Sequence, residues 1–235
     1  KSAALKLMRD LAQPYPEGPQ AQWVVRQAAQ AAGDENLALT EVRLANNLRP
    51  DWDMAVSSEA ALLQKSAPQE GLDKLKNYLA KHPSAREIRM QYARALLEQQ
   101  QYKLARDEFQ NLANDRPDSS EMAFAIAMIS LQMQDYQGAE EQLKMALGKG
   151  KKDQDTVHYY LGQLGEAKKN EAEAIENYRR VNGGEYQFSS QIRIAYLLKK
   201  HGDSTAAMQQ LRQIQAVNNQ QRVQLIMMES KILLN

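Results

Sequence analysis

The chain repeats one spacing of small and large apolar residues at nearly constant intervals. A small residue is followed four positions later by a larger apolar residue, and the small residues recur every 33 to 35 positions. The pairs are Ala4 and Met8, Ala38 and Val42, Gly71 and Leu75, Ala105 and Phe109, Ala139 and Leu143, Ala174 and Tyr178, and Ala207 and Leu211. Self-similarity at one such period predicts an array of repeated structural elements rather than a single irregular domain.

Other residues recur in the same register. A second small residue lies twelve positions before the first, at Ala93, Ala127, Gly162 and Ala195. Prolines lie twelve positions after the first small residue, at Pro50, Pro83 and Pro117. This spacing resembles the tetratricopeptide repeat (TPR) family over essentially the whole chain. The resemblance implies an all-α fold, a right-handed superhelical solenoid of antiparallel helix pairs, each with a helix A and a helix B.

The repeat period also predicts where each repeat begins and ends. A half repeat that supplies only a helix B precedes six full repeats, and a half repeat that supplies only a helix A follows them. The predicted boundaries are 1–18, 19–51, 52–85, 86–119, 120–154, 155–187, 188–221 and 222–235. We expect this single array to be part of a longer chain, because Leu225, Ile226, Met228, Ile232 and Leu233 form an apolar set that needs cover. Self-association through this last helix is the alternative.

Small residues predict where two helices of a repeat touch. We expect Gly162 and Ala174 to lie at the closest approach of their helices, and Tyr178 to fill space toward the next repeat. Arg26 and Glu59 occupy the corresponding small position in early repeats, so we expect those repeats to be less regular. The segment that starts at Arg179, RRVNGGEYQFSSQ, predicts a longer inter-repeat loop because of its glycine pair.

Composition agrees with this reading and excludes several function classes. Of the 235 residues, 43% are hydrophobic and 25% charged, with abundant good helix formers and only 11 glycines and 7 prolines. The formal net charge of +1 gives no sign of nucleic-acid binding. The absence of cysteine excludes disulfides and thiolate chemistry. No apolar run long enough for a membrane span occurs, and a start at Lys1 leaves open a targeting segment upstream.

Candidate chemistry is sparse. The histidines His82, His158 and His201 lie far apart in sequence and have no metal-ligand spacing, and GKGKK at Gly148 lacks the remaining residues of a phosphate loop. We therefore predict no catalytic residue, no metal site and no cofactor. The chain is predicted not to be an enzyme, although an accessory repeat domain of an enzyme remains an alternative.

The resemblance implies that A helices line a concave groove. The fifth position of each repeat, which is mostly apolar or aromatic, is then expected to face a partner. Some ninth positions are expected to lie beside it in the groove. Basic residues gather at the C-terminal end, at Arg193, Lys199 and Lys200. The predicted groove residues are Trp23, Val56, Met90, Arg94, Phe124, Met128, Tyr159, Ile192, Arg193 and Tyr196. Such an exposed apolar stripe is typical of a surface that binds protein.

We therefore predict a scaffold or adaptor that binds a segment or helix of a partner protein. The stretches YYLGQLGEAKKNEAEAIENYRRV and SQIRIAYLLKKHGD resemble bacterial cell-envelope TPR lipoproteins. That resemblance implies a periplasmic or outer-membrane-anchored protein that presents substrates to, or activates, a carboxyl-terminal processing protease, while a cytoplasmic location stays open. The alternatives are a component of an exopolysaccharide-export or pilus-assembly machine, and an RNA-binding helical-repeat protein, against which the balanced charge argues.

Overall fold

The computed structural model describes residues 2–16 and 18–234, and every regular element in these ranges is an α-helix. Two compact units divide the chain, Lys1–Asp115 and Arg116–Asn235. The N-terminal unit contains α1 (Ser2–Ala12), α2 (Pro19–Ala32), α3 (Glu35–Leu48), α4 (Asp53–Ser66), α5 (Pro68–Lys81), α6 (Arg86–Glu98) and α7 (Tyr102–Asn114). The C-terminal unit contains α8 (Ser120–Gln132), α9 (Tyr136–Gly148), α10 (Gln154–Ala167), α11 (Glu171–Arg179), α12 (Gln187–Lys200), α13 (Ser204–Arg212) and α14 (Asn219–Leu233).

Consecutive helices pack in pairs within each unit. In the N-terminal unit the pairs are α2 with α3, α4 with α5, and α6 with α7. In the C-terminal unit they are α8 with α9, α10 with α11, and α12 with α13, and α14 packs against both α12 and α13. Connectors of one to three residues join the members of each pair, and such short connections give antiparallel neighbours. This confirms the predicted all-α class of antiparallel helix pairs.

Five of the six turns inside these pairs share one backbone geometry, and the turn between α4 and α5, which is Ala67 alone, differs. A residue with positive φ ends the first helix, and the residue after it caps the second. The positive-φ residues in these turns are Gly33, Gln100, Gln134, Lys169 and Gly202. In the turn between α8 and α9, the Asp135 N–H donates to the Ser130 carbonyl, and the Asp135 carboxylate accepts the Gly138 N–H at 3.0 Å. Both ends of the turn are thus satisfied by a glycine-type C-cap and an aspartate N-cap.

The periodic small residues lie in the contacts between paired helices. Ala38, Ala105, Ala139, Ala174 and Ala207 of the second helices are completely buried, as are Ala93, Ala127 and Ala195 of the first. Each small residue lets two backbones approach, and the larger apolar residue four positions later fills the space beside it. Tyr178, for example, is buried in a cluster with Ala174, Ile194 and Leu197, so it reaches the following helix as predicted.

The closest contact between α10 and α11 is not the predicted one. A Cβ atom placed on Gly165 would lie 2.7 Å from the backbone nitrogen of Ala174 and 2.9 Å from its Cα. A Cβ atom on Gly162 would instead lie 2.5 Å from Cε1 of the Tyr178 ring. Gly165 therefore permits the backbone approach, and Gly162 makes room for an aromatic ring. The prediction of a contact between Gly162 and Ala174 was one helical turn off.

Two charged residues occupy small-residue positions in the N-terminal unit, and both are buried. Arg26 lies over the ring of Trp23, with its guanidinium carbon 3.9 Å from the ring centroid, and donates to Gln30 at 2.6 Å. Glu59 pairs with Lys74 at 2.6 Å and with Arg43 at 3.5 Å. Since an unpaired buried charge is costly, these partners explain how the repeats accept residues larger than alanine.

We predict that Gly165→Ala lowers the free energy of unfolding by about 1–3 kcal/mol, since the added methyl group must push two backbones apart. The matched control is Gly148→Ala, because a Cβ atom there meets nothing within 4 Å. Urea denaturation followed by circular dichroism measures both. Equal stability of the two variants would contradict the proposed contact.

We also predict that Gln134→Gly raises stability. A left-handed backbone costs a non-glycine residue about 1–2 kcal/mol, and the extra entropy of glycine in the unfolded chain offsets about 0.5–1 kcal/mol of that gain. Gln137→Gly, on an exposed helical residue of α9, should lower stability by about 1 kcal/mol. Thermal denaturation of both variants gives the sign of each effect, and a lower midpoint for Gln134→Gly would contradict the turn assignment.

Candidate functional site

The predicted groove residues of the N-terminal unit differ in exposure. Val56 is only 2% exposed and packs in the core with Leu75 and Ile88, so its side chain is not available to a partner. Trp23 is half-buried against the Trp52 ring, with centroids 5.1 Å apart. On α6, Met90 is half-buried and Arg94 is exposed. Trp23, Met90 and Arg94 therefore stay candidate binding residues, and Val56 is a core residue.

In the C-terminal unit, Phe124 and Met128 of α8 line the edge of the core. Both are half-buried and pack against a cluster that includes Leu143 and Leu161. The Phe124 ring meets the Tyr160 ring edge-on at 6.0 Å, and the ammonium of Lys151 lies 5.4 Å from the Phe124 centroid. These residues support the helix packing with one side and reach solvent with the other.

The remaining predicted residues come together at one groove. Helices α10, α12 and α14 enclose an open cleft of about 450 Å³, which is within the size range of ligand sites. Its lining residues are Tyr159 of α10, then Phe188, Ser189, Ile192, Arg193 and Tyr196 of α12, and Gln224, Met227, Met228 and Lys231 of α14. We call this cleft the C-terminal groove. All four predicted residues of α10 and α12 lie in it.

One side of α14 is anchored in the unit's core. Leu225, Met228 and Ile232 pack against the cluster around Leu211, so three of the residues predicted to need cover are covered by α12 and α13. The opposite side keeps Met227 exposed at 56%, along with Ile226 and Leu233. The helix is therefore fixed in place, while Met227 presents a flexible apolar side chain in the groove. Self-association through the exposed side stays a prediction.

Aromatic stacking holds the α10 wall of the groove. The rings of Tyr159 and Tyr186 stack in parallel, with centroids 4.3 Å apart and planes 16° apart. Tyr186 ends the connector 180–186, which is shorter than the loop predicted from Arg179, because α12 already begins at Gln187. Within this connector the Asn182 N–H donates to Asp155 at 3.1 Å, so the connector is bonded to the start of α10. Stacking then limits the positions that Tyr159 can adopt.

A chain of two hydrogen bonds fixes the cation at the groove's edge. The Tyr178 hydroxyl donates to Oε1 of Glu166 at 2.5 Å, and the Arg193 guanidinium donates to Oε2 of the same carboxylate at 3.0 Å. Burial, and then the hydrogen bond to Glu166, raise the pKa of Tyr178 far above its ordinary value. Tyr178 therefore remains a donor, and Glu166 accepts on both oxygens while holding Arg193 in one place.

The described residues show no arrangement for metal binding. No group of three or more His, Cys, Asp or Glu side chains is placed to hold a metal ion in these ranges. Each histidine has a packing or hydrogen-bonding contact: His82 stacks on Tyr78, His158 contacts the Asn177 amide, and the His201 ring contacts the Glu171 carboxylate. Over the same part of the chain, no helix has the length and apolar character needed to cross a bilayer.

Comparison with known proteins gives the family. Tetratricopeptide repeat models match residues 62–129 and 124–186, which together exceed half of the chain. The chain belongs to the tetratricopeptide repeat family, as predicted, and proteins of this fold act as scaffolds for interactions between proteins. A search of curated protein sequences finds no match.

Solved structures share the fold at low sequence identity. A tetratricopeptide repeat protein from Parabacteroides merdae superposes with a TM-score of 0.61 at 16% identity, covering 92% of this chain and 86% of its own. MamA from Desulfovibrio magneticus RS-1 superposes with a TM-score of 0.59 at 15% identity, and the match covers 69% of this chain and 92% of MamA. PilF of Pseudomonas aeruginosa superposes with a TM-score of 0.55 at 20% identity, and the match covers 87% of this chain and 91% of PilF. At these identities the similarity concerns the fold alone.

Sequence reasoning missed six of the ten residues that line the C-terminal groove. Phe188, Ser189 and the four α14 residues were not predicted, nor was the stack between Tyr159 and Tyr186. The repeat period assigned α14 as a helix A, and that assignment was the available signal that it would line the groove beside α12. The position of Tyr186 had no such signal, because it lies in the connector, outside the repeated pattern.

We predict that Tyr186→Ala loosens the connector and the α10 wall. Loss of the stack should cost about 0.5–1.5 kcal/mol of unfolding free energy, in addition to the lost buried area. Hydrogen exchange should become faster at residues 181–186. Tyr136→Ala, at a partly exposed tyrosine of α9, is the matched control. Unchanged exchange in the connector would show that Tyr186 does not hold it.

Proposed function

We propose that the chain is a non-enzymatic adaptor that binds a segment of a partner protein in the C-terminal groove. The observation that carries this proposal is the groove itself, an open cleft of about 450 Å³ between three helices with a largely apolar and aromatic lining. Clefts lined mainly by apolar and aromatic side chains with a few polar groups are typical of binding sites in proteins. Trp23, Met90 and Arg94 in the N-terminal unit, with Phe124 and Met128 in the C-terminal unit, are proposed as additional contacts.

The lining has the composition of a protein-binding surface. Tyrosine and methionine are enriched where proteins meet, and the unbranched methionine side chain adapts to different ligands. Tyr196 is 43% exposed in spite of its large apolar ring, and Met227 across the groove is more exposed still. Ile192 and Phe188 lie deeper and pack against the core. The groove thus combines a fixed floor with adaptable walls, which suits an extended segment or a helix of another protein.

The narrower form of the proposal concerns the bacterial cell envelope. We propose that the adaptor presents substrates to, or activates, a carboxyl-terminal processing protease, on the strength of the sequence resemblance to envelope TPR lipoproteins. A role in an exopolysaccharide-export or pilus-assembly machine is the alternative within the same class. In both cases the partner is a protein, and the groove is the surface that it uses.

The test is affinity capture from extract of the source cells with immobilised protein. One bait is wild type, and the second carries Tyr196→Glu and Met227→Glu, which place charges in the groove. The third carries Val217→Glu, an equivalent change at a residue that is 81% exposed and lies outside the groove. Circular dichroism first shows that all three are equally helical.

We expect proteins that the wild type and the Val217→Glu variant retain and that the groove variant loses. Mass spectrometry identifies them, and titration of the purified partner then measures a loss of at least about tenfold in affinity for the groove variant. An envelope protease in this set would support the narrower proposal. Equal capture by all three baits would show that the C-terminal groove is not the binding surface.

A further inference from the structure

A polar cleft lies between two second helices of the N-terminal unit. It runs between the C-terminal end of α3 and one face of α5, and its volume of about 390 Å³ is within the size range of ligand sites. We call it the α3–α5 cleft. The lining residues with an amide or a charged side chain are Asn46 and Asn47 of α3, Asp51 of the connector, and Lys74, Asn77 and Lys81 of α5.

Asn46 contributes a buried acceptor that is not satisfied. The residue is 4% exposed, and its Nδ2 donates to Oε2 of Glu59 at 2.5 Å, which fixes the orientation of the amide. The same carboxylate is held by Lys74 at 2.6 Å. Within residues 2–16 and 18–234, Oδ1 of Asn46 accepts no hydrogen bond. A buried acceptor without a donor is costly, so a ligand that supplies an N–H to Asn46 gains free energy there.

The α5 wall presents its polar groups in a row. Lys74, Asn77 and Lys81 have the spacing i, i+3 and i+7, so they share one face of the helix. At the rise of an α-helix this row is about 10 Å long, the length of about three residues of extended chain. Asn77 and Lys81 are exposed, as is Asn47 on the opposite wall, and in the described part of the chain no hydrogen bond or ion pair engages these three side chains.

These groups match the main chain of a polypeptide. An asparagine amide carries both donors and an acceptor, and so does each peptide group. An extended chain offers unpaired N–H and C=O groups, whereas a helix satisfies its own. Net charge does not decide the ligand, since Lys74 is paired with Glu59 and the Asp51 carboxylate lies 3.7 Å from Arg49. The Tyr78 ring is only 7% exposed and offers no face on which a base could stack.

We propose that the α3–α5 cleft binds an extended segment of another protein through its main chain. A main-chain N–H donates to Oδ1 of Asn46, Asn77 pairs with a neighbouring peptide group, and Lys81 donates to a carbonyl oxygen. Selection then depends on chain conformation more than on side-chain sequence. This is a second binding site, and it does not depend on the C-terminal groove.

Selection from a displayed library of random peptides of about ten residues tests this proposal. Wild-type protein is the first bait, and the cleft variant carries Asn77→Ala and Lys81→Ala. The matched control carries Gln69→Ala and Lys76→Ala, two exposed polar residues of α5 outside the cleft lining. Alanine favours helix, so both variants should stay folded, and thermal denaturation checks this. A fourth bait, with Tyr196→Glu and Met227→Glu, separates peptides that bind the C-terminal groove.

We expect the cleft variant to lose a set of peptides that the other three baits retain. These peptides should differ in side chains and contain few prolines, because proline lacks the N–H. For one such peptide, methylation of a single main-chain nitrogen should weaken binding about three- to tenfold at one or two positions in fluorescence anisotropy. Replacement of the side chain by alanine at the same positions should change affinity less than about twofold.

Nuclear magnetic resonance gives a readout at the buried amide itself. The side-chain amide signals of Asn46 and Asn77 should shift when the parent peptide binds. The peptide methylated at the nitrogen that faces Asn46 should leave the Asn46 signal in place.

Three results would overturn the inference. If the cleft variant retains every peptide that wild type enriches, the cleft is not a polypeptide site. If lost peptides tolerate main-chain methylation at every position but not side-chain replacement, or bind as helices by circular dichroism, main-chain recognition is wrong. An Asn46 signal that is unchanged by every lost peptide would show that its acceptor has no part in binding.

Discussion

The close approach of two helix backbones within each repeat is the constraint on which the rest of each unit depends. Where α10 meets α11, Gly165 faces the backbone of Ala174 with no room for a methyl group. The buried alanines at the same repeat positions have the same effect in other pairs. Because the two backbones are so close, the larger residue four positions further on projects beyond its own pair. Tyr178 in this way contacts α12 and reaches Glu166, so the packing that defines the repeat also positions a charged group at the groove.

The same constraint explains what the sequence could and could not predict. Small residues at an interval of 33 to 35 positions report a contact that every repeat needs, and so the helix pairs, their class and their family were predictable. The contact between Gly165 and Ala174 was not, because α10 carries two glycines, Gly162 and Gly165, one turn apart on the same helix face. Only the position of the Tyr178 ring in the folded structure distinguishes the roles of Gly162 and Gly165.

The candidate site also contains residues that repeat position could predict and residues that it could not. Tyr159, Ile192 and Tyr196 were predicted from repeat position and Arg193 from the basic residues near the C-terminal end, and all four line one cleft. Val56 has the equivalent position in α4 but is buried. The position of a residue in the repeat determines the direction of its side chain, whereas neighbouring side chains determine how much of it is exposed to solvent. Buried charges at Arg26 and Glu59 show that the N-terminal unit departs from the repeat pattern in other positions as well. Connector residues such as Tyr186 lie outside the period, so their contacts depend on the fold itself.

The pairing of helices in each repeat produces a groove between successive first helices. The side chains that line the groove are not determined by that pairing. The pairing of α12 with α13 and the packing of α14 on both leave the adjacent faces of α12 and α14 partly uncovered, whatever residues they carry. The lining of this particular cleft combines Tyr196 and Met227 with Arg193, whose only carboxylate partner in the described ranges is Glu166. Since Tyr178 holds Glu166 from the core side, the cation stays at the edge of an apolar surface instead of folding back over it. The residue that packs against the next repeat thereby also fixes the position of a cation at the edge of the groove.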